Sequence, residues 1–260
     1  MRRDEAQGAS PKGTSRQAIL GILPVNLAVS ALLAIAAAVG PESGWVAWAL
    51  AVVLVLAATA LRQGTPFTLR ARHFAERHHL LVIIALGETV IRIGQGSADR
   101  LRNLQGLVAF VVGLTLIVAM WWVYFGTGDE ERGVHAFAHT PEAERSLLGA
   151  RAYSASHLLH IAGLVLCAVG LNAAIRQPMQ PFGIELGLTT AAGVAVFLLG
   201  HAGYRSALAL GSSRPHLVAG GLALACAMLS TVVPAVALLG LLMSLLLGLS
   251  WHVGPTARPV

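Results

Sequence analysis

Charge is scarce in this chain of 260 residues: Asp, Glu, Lys and Arg together make up 12%, about half the usual share in globular proteins. A soluble fold of this size covers most of its surface with polar groups, and this chain has too few. Cysteine occurs twice, at Cys167 and Cys226, both inside apolar runs. There they behave as small apolar residues, and a disulfide framework is excluded. No Asn-x-Ser/Thr sequon occurs. No nucleophile elbow, phosphate loop, dinucleotide fingerprint or zincin motif occurs either, so the expectation is that the protein is not an enzyme and uses no cofactor. Lysine is nearly absent, with 17 of the 18 basic residues being Arg. They are spread through interhelical segments and tails without a basic face, which argues against nucleic acid as a partner despite the net charge of +6.

What the chain has is hydrophobic residues, 56% of the total. An α-helix needs about 20 mainly apolar residues to cross about 30 Å of hydrocarbon. Runs of that kind lie at 17–39, 45–61, 78–95, 104–125, 153–175, 184–204, 216–232 and 235–253. Long strand-like alternation is missing, so the reading is an all-α, polytopic transmembrane bundle of about eight spans, or seven if the last two form one broken helix. Residues 1–16 read as an N-terminal tail, 17–253 as the membrane domain and 254–260 as a C-terminal tail. The first run exceeds the ~7–15 residues of a signal-peptide core, so a retained signal anchor is expected. With the N-terminus inside, 14 basic residues fall in cytoplasmic pieces and three in outer loops. That bias predicts a plasma (inner) membrane protein with both termini cytoplasmic. Trp45, Trp48, Trp121, Trp122, Tyr124 and Trp251 stand at span ends, where interfacial aromatics belong. The acidic segment 126–152 reads mainly as a solvated cytoplasmic connector. Glycines such as Gly87, Gly94, Gly113, Gly163, Gly170, Gly193 and Gly200 read as points of close helix approach.

The polar residues inside these runs are the candidates for function. In the third run Glu88 and Arg92 stand four apart, the acid first, the favourable order for a pair on one helix face. Two charges at mid-membrane cost up to ~7 kcal/mol, and the nine Leu, Ile and Val between Leu80 and Ile93 return roughly 3–5 kcal/mol. The span is marginal by itself and needs neighbours, with Glu88 expected to face the bundle as a buried proton, ion or substrate site. A paired packing element is the alternative, and Arg92 either pairs with Glu88 or reaches outward to the interface. His157 and His160 share a face at i, i+3, and His157 with Glu88 is the candidate proton relay. His73, Glu76 and Arg77 at the head of the third run complete the candidate site. No tight ligand spacing joins these groups to His78, His79 or His201, so no metal site is expected.

The third run also carries a resemblance. His73-Phe74-Ala75-Glu76-Arg77 with Leu81-Val82-Ile83-Ile84-Ala85-Leu86-Gly87-Glu88-Thr89 resembles the signature of the bacterial low temperature requirement A family. Trp121-Trp122-Val123-Tyr124-Phe125 is similar to its double-tryptophan motif. The Tyr153, His157, Ala162-Gly163 and Ala168-Val169-Gly170 positions resemble its Tyr/His helix, and Phe197 to His201 with Tyr204-Arg205 resembles the next helix end. The resemblance covers about residues 73–205. Family members are typically longer, with an N-terminal half carrying a Phe-Phe-Asp-Leu-Val-Phe type motif that this sequence lacks; Gly126 stands in place of the family's Asp and Leu159 in place of its Pro. The resemblance implies growth at low temperature as the biological setting but no biochemical activity. Two classes of function follow: a transporter or ion- or proton-permeation protein using a buried Glu, with a small solute or ion as partner, or a membrane-integrity or cold-stress protein acting through packing or partners. The lipid bilayer is the surrounding partner in both, and a homo-oligomer is compatible with either.

Overall fold

The computed structural model describes residues 12–61, 70–97 and 100–254. Most of the two expected tails lies outside the described residues. Among the described residues the chain is helical throughout and contains no strand, as the periodicity requires. It divides into two compact units, residues 1–69 with 142–147, and residues 70–141 with 148–260.

In the first unit, α1 (Lys12–Val39) and α2 (Pro41–Leu61) form a hairpin. Gly40, at φ +86°, ends α1 in the left-handed conformation that glycine adopts without strain. A side chain at Gly44 would place its Cβ 2.5 Å from the carbonyl oxygen of Ala36, so glycine is what lets the two helices approach at the turn.

The second unit holds α3 (Ala71–Ser97), α4 (Leu104–Trp121), α5 (Asp129–Ala138), α7 (Ser156–Arg176), α8 (Gly183–Ala207), α9 (Arg214–Cys226) and α10 (Ala235–Val253), while α6 (Glu142–Gly149) straddles the division. α7 lies against α8, α3 against α7, α9 against α8, and α10 against α4. The α7–α8 contact is backbone to backbone: a Cβ at Gly163 would stand 2.6 Å from the Gly193 carbonyl oxygen, and one at Gly193 would stand 2.6 Å from the Cys167 amide. The reading of Gly163, Gly170, Gly193 and Gly200 as approach points is therefore right, whereas Gly87 faces open space. One half of the core is apolar, built from Ile93, Leu116, Leu171, Ile175, Leu238 and Leu242.

Five helical stretches are long and apolar enough to cross a membrane: 20–39, 104–138, 142–176, 183–207 and 235–253. Of the other three expected spans, α2 contributes a shorter apolar stretch at 42–55. α3 is interrupted by charge, and α9 runs for 13 residues before a 3-10 turn over Ala227–Thr231. All five tryptophans point outward: Trp45, Trp48, Trp121 and Trp122 are 41–66% exposed and Trp251 is 92% exposed, the disposition of interfacial aromatics.

The segment 126–152 is largely helical and in part buried, not a solvated connector throughout. Gly128, at φ 75°, turns the chain into α5, whose first turn carries Asp129, Glu130 and Glu131. Acidic groups there complement the helix N-terminus. Asp129, Gly133 and Phe137 recur every fourth residue as one buried face, which anchors α5 to the second unit.

Candidate functional site

α3 shows why the candidates divide as they do. From Ala75 onward its buried residues are Ala75, His79, Val82, Leu86, Thr89 and Ile93, a stripe with alternating spacings of four and three. Glu88 and Arg92 each precede a stripe position by one residue, and a residue step turns the helix by about 100°. Both side chains therefore stand on the outer face, 56% and 66% exposed. They do form the pair, Arg92 Nε donating to Glu88 Oε1 at 2.8 Å. The expectation of a buried Glu88 facing the bundle is overturned. Glu76 is bound by Arg72 at 3.0 Å, and Arg77 Nε donates to His73 Nε2 at 3.1 Å, both on exposed surface. Of the candidate residues, only His157 lies inside. With Glu88 outside, the proposed relay between the two has no geometric basis.

What surrounds His157 is a buried polar centre at one end of the second unit. Two π-helical turns frame it, Trp122–Gly126 after α4 and Ala150–Ala155 before α7. Such turns shift a helix's register and concentrate at functional sites. Here they carry Tyr124 and Tyr153, both completely enclosed. His157 Nδ1 donates to the Tyr153 carbonyl oxygen at 2.7 Å. Because a carbonyl only accepts, that nitrogen holds the proton, and Nε2 of the neutral ring accepts from the Tyr124 hydroxyl at 2.5 Å. Beyond this pair the imidazoles form a series. Ring centroids are 5.4 Å apart from His157 to His160, 5.7 Å from His160 to His201 and 4.9 Å from His201 to His216. On the other side His78 packs edge-on to His157 at 5.2 Å, and His79 Nδ1 donates to Glu130 Oε1 at 2.9 Å.

Asp129 anchors the far side of the centre. It is fully buried, and His201 Nε2 donates to its Oδ2 at 3.0 Å. Arg205 Nη1 binds the same oxygen and Arg132 Nη2 binds Oδ1. Arg205 also donates to the Leu210 carbonyl at 3.0 Å. A buried carboxylate is tolerable only with such partners, since desolvation costs several kcal/mol per ion. Gly133 leaves room for the Tyr204 ring, which a Cβ there would strike. Neither ring nitrogen of His216 has a hydrogen-bond partner, nor does Nδ1 of His201.

Asp129, His201 and His216 offer donor atoms within 4.8 Å of one another, a set with the chemistry of a metal seat. The two guanidiniums already occupy both carboxylate oxygens, however, and a dication would have to join them in a buried volume. As it stands the Asp129 carboxylate is closed off by Arg132, His201 and Arg205.

The sequence reading missed Tyr204, Arg205, Asp129 and His216 as members of a site. Tyr124 reads as an interfacial aromatic and Asp129 as part of a loop, because neither spacing nor period links positions 33 to 76 residues apart. The available signal was the resemblance itself. Each of its four segments sends a side chain to this centre or its wall: Phe74, Tyr124, His157 with Tyr153, and His201 with Tyr204 and Arg205.

Among curated proteins, an uncharacterised protein of Rhizobium meliloti (strain 1021) is 27% identical over 170 residues, covering 62% of this chain and 41% of the relative. The chain thus spans about two-fifths of that relative's length. No solved structure matches it. The pattern of the bacterial low temperature requirement A protein family runs beyond the segments that first suggested it, from residue 4 to residue 251, and the chain belongs to that family.

Proposed function

We propose that the chain is a membrane permeation protein whose working site is the His157 centre, taking up a proton or a small hydrogen-bonding solute from the end where α3, α5, α7, α8 and α9 converge. The carrying observation is the pair of π-helical turns that aim Tyr124 and Tyr153 at His157. Ionisable and polar groups within a membrane bundle are costly, and function is the default reason to retain them. Histidine exchanges protons near neutral pH, and Tyr124 supplies a hydroxyl that donates or accepts.

The ring spacings exceed a direct hydrogen bond, so passage along the series requires ring rotation or bridging water. Past His160 the core closes on Leu164, Phe197 and Leu171. The reading therefore describes a gated, slow path and not an open pore. That apolar half also favours the second reading, a membrane-integrity protein in which the centre serves only to fix helix packing. On the eight-span reading, the distribution of arginines puts both termini on the cytoplasmic side of the plasma membrane and the centre at the cytoplasmic end. Cysteine accessibility at residues 42, 99, 140 and 180 tests that orientation, and cytoplasmic labelling at 99 refutes it.

The function is tested in proteoliposomes carrying a trapped pH-sensitive dye and an imposed proton or solute gradient. Flux above that of empty vesicles is expected, lost in His157→Gln and retained in Glu88→Gln. No flux in any gradient, with cold-growth complementation intact in His157→Gln, favours the packing role.

A further inference from the structure

A second feature lies away from the polar centre. α9 and α10 run antiparallel, and between them is an open groove of about 640 Å³. Its walls are Val218 and Leu222 on one helix and Leu245 and Gly248 on the other, over a floor of Ala219 and Leu249. Val218 is 61% exposed and Leu222 51%, so no other part of the second unit covers the walls. A Cβ at Gly248 would meet nothing within 4 Å, and the missing side chain is what keeps the groove wide.

One end is cationic. Arg214, at the start of α9, and His252, at the end of α10, line the same mouth together with Ser212. No acidic residue follows Glu185 in the sequence, so the mouth has no carboxylate from its own stretch of chain to neutralise it. Trp251, beside His252, is the most exposed tryptophan and marks the interfacial level at that end. From Arg214 to Leu222 the helix rises about 12 Å. That lies within one leaflet, half of the ~30 Å hydrocarbon core.

We infer that this groove holds one acyl chain of an anionic glycerophospholipid, with its phosphate on Arg214 and His252. A cationic mouth at headgroup level over an apolar slot one leaflet deep matches a lipid's division into charged head and hydrocarbon tail. Leu245 and Val218 supply the apolar contact, and Arg214 supplies the preference for negative charge.

The test is lipid retention by the full chain, purified in detergent and exchanged against phosphatidylglycerol or phosphatidylcholine, read by native mass spectrometry. One tightly retained phosphatidylglycerol per chain is expected, with weaker phosphatidylcholine retention. Arg214→Gln should lower the preference by about fivefold, the scale of one arginine at an anionic surface. Gly248→Phe, which fills the slot, should release both lipids while circular dichroism and elution volume stay unchanged. If that variant fails to fold, Val218→Phe blocks the opposite wall. Equal retention of the two lipids by the unaltered chain overturns the inference. So does phosphatidylglycerol retention that survives a folded slot-filling variant, or a slot-filling variant that converts a dimer to a monomer without releasing lipid.

Discussion

Tyr124 and His157 are separated by 33 residues and joined by a 2.5 Å hydrogen bond inside the second unit, each presented by or beside a π-helical turn. The proton on His157 Nδ1 is committed to the Tyr153 carbonyl, so Nε2 is left as an acceptor and the Tyr124 hydroxyl is the donor that satisfies it.

Removing that hydroxyl tests the bond directly. Tyr124→Phe keeps the ring and strands a buried acceptor, which costs about 1–3 kcal/mol. Tyr124→Phe combined with His157→Phe removes both partners and should cost less than the sum of the single changes. Equilibrium unfolding in detergent measures all three variants, and additive losses would dissolve the pair.

Asp129 should be the most sensitive position in the centre. Asp129→Asn leaves Arg205 buried without its counter-charge, a loss of about 3–5 kcal/mol. Replacing Arg205 with Leu in the same chain should recover part of that loss. A recovery of zero in the double variant would show that Arg205 does not depend on the carboxylate.

The outer pair behaves differently. Glu88 and Arg92 are each more than half exposed on the outer face of α3, and a pair of this kind reached by water contributes about 0–1 kcal/mol. A double-mutant cycle of Glu88→Gln and Arg92→Leu in detergent should show coupling within that range. Coupling of several kcal/mol would place the pair in a desolvated interface.

Gly163→Leu should separate α7 from α8, because even the first carbon of a side chain would stand 2.6 Å from the Gly193 carbonyl oxygen. Overpacking of this kind costs about 1–3 kcal/mol or more, visible as a lowered melting temperature. Gly87→Leu, on a face with nothing within 4 Å, is the control and should be close to neutral.

Comparison of α3 with α5 shows which features can be read from the chain alone. In α3 the existence of a helix and the i, i+4 pair of Glu88 with Arg92 are local properties, and both are present in the structure. Which way that pair faces is not local. The stripe from Ala75 to Ile93 includes a histidine and a threonine, so polarity alone does not mark the inner face, and Glu88 stands one residue away from it. In α5 three consecutive acids read as solvated, yet the first of them is the buried anchor of the centre. Its histidine and arginine partners on α8 come 72 and 76 residues later.

The class of the protein followed from quantities that add up along the chain. Too little charge, apolar runs of membrane-crossing length and arginines concentrated in the gaps between them specify a helical membrane protein whatever the helix order, because transfer free energy is summed residue by residue. The site depended on the rotation of each helix about its axis and on which helices become neighbours. Those are set by packing contacts such as Gly163 on Gly193 and Gly133 under Tyr204. Such contacts couple residues far apart in sequence, and no local period records them.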